Sequence, residues 1–179
     1  MRYRLATVAI AVALAGACSS ETPTRPGAVS VPLLVQADQH AGEPHHYGTH
    51  LTGNNEVPVR DTGGQGQATF KLNDDGTELS YKLNVANIEN VTQAHIHLGA
   101  VGANGGIVVW LYPSAPPSLL IRGRSQGTLG EGVITSANLV GLLLGKPLGD
   151  LLAQIQAGGA YVNVHTSQFP GGEIRGQIR

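Results

Sequence analysis

The 179-residue chain is expected to fold as an all-β domain, an antiparallel Greek-key β-sandwich or barrel with one or two short helices in a crossover. Three observations carry that expectation. Apolar and polar residues alternate in several short segments, turn-forming glycines and an Asp-Gly pair separate those segments, and a single region repeats with helical period. Composition agrees. Aromatic residues make up 4% of the chain while glycine occurs 25 times, about twice its usual frequency. The core must therefore be built from Val, Ile, Leu and Ala, with many turns between elements.

The elements follow in order. Ala68, Phe70 and Leu72 point one way while Thr69 and Lys71 point the other, the period of a half-buried strand. "NDDGTE" (73–78) supplies the Asp-Gly turn, and Leu79, Tyr81, Leu83 and Val85 continue inward, so the pair is a hairpin. "IVVWLY" (107–112) is a continuous apolar run ended by Pro113 and reads as a strand buried on both sides. "RSQGTLGEGVI" is a strand interrupted by glycines. Leu148, Leu151, Leu152 and Ile155 recur at helical spacing, and Gly158 and Gly159 stop the run. Ser136 to Leu144 belongs to the same non-β crossover. "AYVNVHT" and "GGEIRGQI" close the chain as two strands, the second with Ile174 and Ile178 inward and Glu173, Arg175 and Gln177 outward.

Ahead of the domain, Arg2 and Arg4 precede an uncharged apolar run from Leu5 to Ala15. It is too short to span a bilayer as a helix, and small residues follow it, which is the pattern of a secretory signal over residues 1–17. The run enters Cys18, the only cysteine, and "LAGAC" resembles the bacterial lipoprotein signal, in which cleavage frees a cysteine that carries a diacylglycerol thioether. Ala15 stands where that signal usually has leucine. An ordinary cleaved signal with an unpaired thiol is the alternative. Ser19 after the cysteine implies the outer membrane where the source has one. The expectation is an exported protein without disulfides, anchored in the cell envelope through Cys18, at the outer membrane or cell surface. Residues 18–44, rich in Pro, Ser, Thr and Gly, read as a tether. Within it "VSVPLLVQA" reads as an edge strand, since Pro32 bars it from a sheet centre. Residues 45–179 form the β domain.

Removing the signal leaves nine basic residues against twelve acidic ones. No basic stripe is present to follow phosphates, so nucleic acid is not expected as a partner. "GAVGANGG" lacks the lysine and following helix of a phosphate loop and reads as a hairpin loop. Asp74, Asp75, Glu78 and Asp150 make no calcium-loop pattern, and Ser114, Ser118 and Ser167 lack a nucleophile-elbow context.

The chemistry, if any, lies in the histidines. In "AHIHLG" His95 and His97 share one strand face with Gln93, and in "AYVNVHT" Tyr161, Asn163 and His165 share another. If the two strands lie close, three imidazoles converge into a copper or zinc site with an open position. The alternative is solvent-facing or hydrogen-bonded histidines with no common purpose. His40, His45, His46 and His50 crowd the domain's start, either as a polar lead-in or as a source of a fourth ligand.

"LTGNNEVP" (51–58), "GQATFKLNDDGTELSYKLNV" (66–85), "AHIHLGAVGANGGIVVWL" (94–111) and "AYVNVHTSQFPGGEIRGQI" (160–178) together resemble the CHRD domain, named for its occurrence in chordin and widespread in bacterial exported proteins. The resemblance covers about residues 48 to 179 and implies an immunoglobulin-like barrel with a distant likeness to Cu/Zn superoxide dismutase. Through that likeness "HIH" implies two copper ligands, His95 and His97. "YVNVH" implies a third, His165, and "GGEIRG" places Arg175 near the position of an anion-steering arginine. The interval between His97 and His165 holds no histidine, and a single cysteine excludes the dismutase disulfide, so what remains resembles a copper-only arrangement. The expectation is a lipid-anchored envelope module, not an enzyme, that binds a protein, a polysaccharide or a metal ion. The alternative is a copper-only, dismutase-like redox enzyme.

Overall fold

The computed structural model describes residues 46–179. The signal segment, Cys18, the tether with "VSVPLLVQA", and His40 and His45 lie outside the described residues. Eight strands, β1 (His46–Thr52), β2 (Gln65–Leu72), β3 (Leu79–Glu89), β4 (Val91–Leu98), β5 (Ile107–Tyr112), β6 (Arg124–Ile134), β7 (Ala160–Thr166) and β8 (Ile174–Gln177), pair antiparallel in the order β5-β4-β7-β8-β1-β2-β3-β6. The two ends of that order approach each other. Tyr81 donates its hydroxyl to the Leu111 carbonyl at 2.9 Å, and a Cβ on Gly130 of β6 would sit 2.6 Å from the same oxygen. The result is a nearly closed all-β barrel, which leaves little free edge.

The predicted hairpin forms as expected. β2 and β3 pair in unbroken register from Gln65–Ala86 to Leu72–Leu79, and Gly76 takes the left-handed conformation (φ 69°) that the Asp-Gly turn requires. β3 then hands the chain to β4 through Asn90 alone, also left-handed (φ 53°). Asparagine tolerates that region better than most side chains. The corner sends β4 across the barrel to pair with β5 and β7 instead of with β3.

The core is aliphatic. Leu51, Leu79, Leu83, Ile88, Ile96, Ile134, Leu139, Leu151 and Ile155 are fully buried, each removing apolar surface worth about 1.5–3 kcal/mol. The crossover holds one α-helix, α1 (Leu148–Gln156), which buries Leu148, Leu151 and Ile155 and leaves Leu152 half-buried. Ser136 to Leu144 forms two 3₁₀ turns, Ser136–Asn138 and Gly141–Leu143. Left-handed Gly141 (φ 58°) breaks the run there, and a side chain on it would overlap the Ile107 carbonyl.

Two expectations are corrected. β5 is not buried on both sides. It ends the strand order, and Ile107, Trp110 and Tyr112 are half-buried. The residues expected to point outward from the last strand do not all face solvent, since Glu173, just before β8, and Arg175 within it are both buried. Loops fold over the outer face of β4, β7 and β8, so strand alternation there separates an apolar interior from a second, polar interior.

Candidate metal centre

β4 and β7 are direct neighbours, with His95 opposite Asn163 and Gln93 opposite His165. Ala94 and Ile96 of β4, with Val162 and Val164 of β7, face the barrel core. Period two therefore turns His95, His97, Tyr161, Asn163 and His165 to the other face. One ring nitrogen from each of His95, His97 and His165 lies within 4.8 Å of the others. The three are 0%, 7% and 6% exposed, so they are not surface histidines. His46 and His50 are exposed on β1 and do not belong to the cluster.

Backbone carbonyls set the tautomers. His97 Nδ1 lies 3.0 Å from the Gly105 carbonyl and His165 Nδ1 lies 2.9 Å from that of Pro170. A carbonyl only accepts, so both Nδ1 atoms carry the proton and both Nε2 atoms present a lone pair. His95 Nδ1 sits 3.3 Å from His165 Nε2. His95 Nε2 and His97 Nε2 are buried without a hydrogen-bond partner, a costly condition for polar atoms unless something else engages them. Trp110 closes one side, edge-to-face on His95 with ring centroids 4.3 Å apart.

Three loops build the roof. The glycine-rich segment 99–106 is the β4–β5 hairpin loop, as expected. Its Gly105 accepts from His97 and donates its N–H to the Tyr161 hydroxyl at 3.1 Å. From the same loop the carbonyls of Ala100 and Ala103 and the Asn104 side chain accept from the Arg175 guanidinium. In the 167–173 loop Pro170 anchors His165. There Gly172 (φ 120°) leaves room for Asn163 Nδ2 and Glu56 Oε1, which lie 2.5 and 2.6 Å from where its Cβ would stand. Glu56 comes from the third loop, after β1, and accepts from Asn163. Glu173 accepts from Thr62 at 2.6 Å and Thr166 at 2.7 Å.

Arg175 is 2% exposed. It pairs across the sheet with Asn163, and its guanidinium carbon lies 3.4 Å over the Tyr161 ring. Tyr161 in turn stacks on His97, with centroids 5.0 Å apart and planes 9° apart. Beside Arg175 opens a cleft of about 470 Å³ bounded by His50, Asn55, Glu56, Val101 and Gln177, and none of the three clustered histidines lines it. Sequence reasoning missed Glu56, Gly105, Trp110 and Pro170 as parts of the site. Only backbone geometry picks out Gly105 and Pro170, because the atoms involved are carbonyls present at every residue.

Burial governs the charge of the cluster. It lowers His95 to a pKa of about 3, with the neighbouring His165 and His97 adding to the effect. It lowers His97 to about 4, against the Gly105 hydrogen bond and helped by His165 and Arg175. His165 is lowered by burial too, against its bond to Pro170. All three imidazoles are thus neutral at pH 7, the form that ligates metals. The sign of the stability linkage follows. The unfolded chain takes up protons at His95 and His97 near pH 6.5, and the folded one does not until about pH 4 or below. The metal-free protein therefore keeps full stability above pH 6.5 and loses it as pH falls toward 4, by up to about 1.4 kcal/mol per pH unit for each of these two, and the lowered His165 acts in the same direction. Urea midpoints at pH 7.5 and pH 5 test this; equal midpoints would count against neutral burial.

The sequence matches the family model of the CHRD domain over residues 47–178. No curated protein and no solved structure matches the chain significantly. That match spans nearly the whole described region, from β1 through β8, and takes in the strands of all three clustered histidines. The chain belongs to the CHRD domain family.

Proposed function

We propose that this CHRD domain is a metal-binding module of the cell envelope that holds one copper ion on His95, His97 and His165, with zinc as the competing ion. The observation that carries the reading is the convergence of three buried, neutral imidazoles, two of them oriented by backbone carbonyls. The donor chemistry fits, with three neutral imidazoles offering nitrogens within 4.8 Å of one another. One pair already has the spacing of a metal site: two nitrogens each about 2.0–2.1 Å from a common ion at a tetrahedral angle stand about 3.3–3.4 Å apart, and His95 Nδ1 and His165 Nε2 are separated by 3.3 Å, while the wider separations must close on an ion. Carbonyl anchoring of the non-ligating nitrogen is the usual support of a metal-bound histidine. Bound there, copper would offer a coordination position beyond the three protein ligands.

Binding is favoured over dismutase-like turnover by the placement of Arg175. Its guanidinium is engaged by loop acceptors and the Tyr161 face, on the far side of Tyr161 from His97. The lipid anchor at Cys18 and the outer-membrane or cell-surface location belong to the same proposal and rest on the sequence of residues 1–19.

The test is metal analysis of the untagged protein after incubation with Cu(II) or Zn(II) and exhaustive dialysis. About one ion per chain is expected, lost in the His95→Ala/His97→Ala double variant. Trp110, the only tryptophan, gives a second readout. Copper beside His95 should quench most of its emission, while zinc, with a filled d shell, should leave it bright. No retained metal would return the histidines to polar packing and turn the search to protein or polysaccharide partners.

A further inference from the structure

Building on that reading, we infer that the site selects the cuprous ion over divalent ions, and that Arg175 sets this selectivity by placing a fixed positive charge one aromatic ring away from His97. Two features of the site carry the inference. The first is the donor set. Among the described residues the cluster contains three histidines and no carboxylate or thiolate, so every ligand is neutral and the ion's full charge is buried. The cost of burying an ion grows with the square of its charge, so a dication is penalised far more than a monocation. Three neutral nitrogens also suffice for the low coordination number that Cu(I) accepts, whereas Cu(II) and Zn(II) require further ligands.

The second feature is the stack His97–Tyr161–Arg175. The guanidinium lies 3.4 Å over the Tyr161 ring, and that ring lies parallel to His97 with centroids 5.0 Å apart. It is held by Ala100, Ala103 and Asn104 and is 2% exposed, so solvent screens its charge poorly. Arginine keeps that charge at any working pH. Repulsion at this range, doubled for a dication, amounts to about a tenfold change in relative affinity. The carboxylates nearby are committed elsewhere. Glu173 takes two threonine hydroxyls, and Glu56 takes the Asn163 amide while feeling the field of Arg175. Glu56 partly offsets Arg175, which gives a variant of opposite sign.

The experiment measures affinities for Cu(I), kept reduced under anaerobic conditions with ascorbate, and for Cu(II) and Zn(II), each by competition with a chromophoric chelator. The wild-type protein is expected to bind Cu(I) at least tenfold more tightly than either dication. Arg175→Gln should narrow that gap about tenfold, Arg175→Lys should keep most of it, and Glu56→Gln should widen it. A dication bound more tightly than Cu(I) by the wild type, or a gap unmoved by both Arg175→Gln and Glu56→Gln, overturns the inference while leaving the metal site standing. Absence of all three ions from the wild type overturns the metal site itself. If Arg175→Gln fails to fold, the wild-type order and Glu56→Gln still decide.

Discussion

Replacing His97 by alanine is expected to weaken copper binding by about a hundredfold or more while costing the fold only about 1 kcal/mol. Changing a supporting residue around a metal typically costs ten- to a hundredfold, and His97 is proposed as a ligand itself. The small stability cost follows from its surroundings. Its Nε2 is already buried without a partner, so truncation removes an unsatisfied polar atom and offsets part of the cavity left behind. The stacked Tyr161 keeps its other bonds, including the one from Gly105. Chelator competition and urea denaturation on the same preparation check both halves. Wild-type copper affinity in the variant would remove His97 from the site. A loss of several kcal/mol would make it a packing residue first.

Gly105→Ala should be the more damaging change although it adds a single methyl group. A Cβ at Gly105 would overlap the Leu98 carbonyl oxygen and crowd its carbon, both parts of the backbone of β4. Backbone cannot swing aside as a side-chain tip can, so the hairpin loop must move, at about 3 kcal/mol. The displacement also takes the carbonyl away from His97 and the N–H away from Tyr161, so metal affinity should fall together with stability. Gly106→Ala is the matched control. A Cβ there meets nothing within 4 Å, and its stability should stay within about 0.5 kcal/mol of wild type. Equal urea midpoints for the two variants would show that the loop is not held as described.

The glycines of "GAVGANGG" thus gain a specific purpose. They let a tight hairpin loop lie flat on the outer face of β4, β7 and β8, so that its carbonyls reach down to His97 and Arg175. The same geometry agrees with its reading as a hairpin loop and not a phosphate loop: it presents carbonyl oxygens to the site, and these attract N–H donors and cations, not anions. Glu56 and Gly172 show the same division of labour. The glutamate supplies an acceptor to Asn163, and the glycine, by lacking a side chain, leaves the space in which they meet.

How much of this was legible beforehand depends on range. Strand alternation is local, since neighbouring side chains on an extended backbone point to opposite faces. The pairing of His95 with His97 on one face, and of Tyr161, Asn163 and His165 on another, could therefore be read directly. So could the β2–β3 hairpin, where the turn residues act within a few positions of the strands they join, and α1, whose leucines repeat on its own axis. Arg175 shows where that reading stops. Between Glu173 and Gln177 it has the local pattern of a solvent-facing residue, and only the arrival of a loop more than 70 residues earlier in the chain buries it.

By itself, then, the sequence determined an aliphatic all-β domain of the CHRD family and which side chains share a face, because those properties depend on composition and on residues close together in the chain. The tertiary structure alone decided that β4 lies beside β7, so that His95 and His165 meet across 70 residues, that loop carbonyls orient their rings, and that this face is an interior and not a surface. The physical reason is that strand pairing and loop closure are non-local. Each brings together groups whose separation along the chain carries no information about their distance in space.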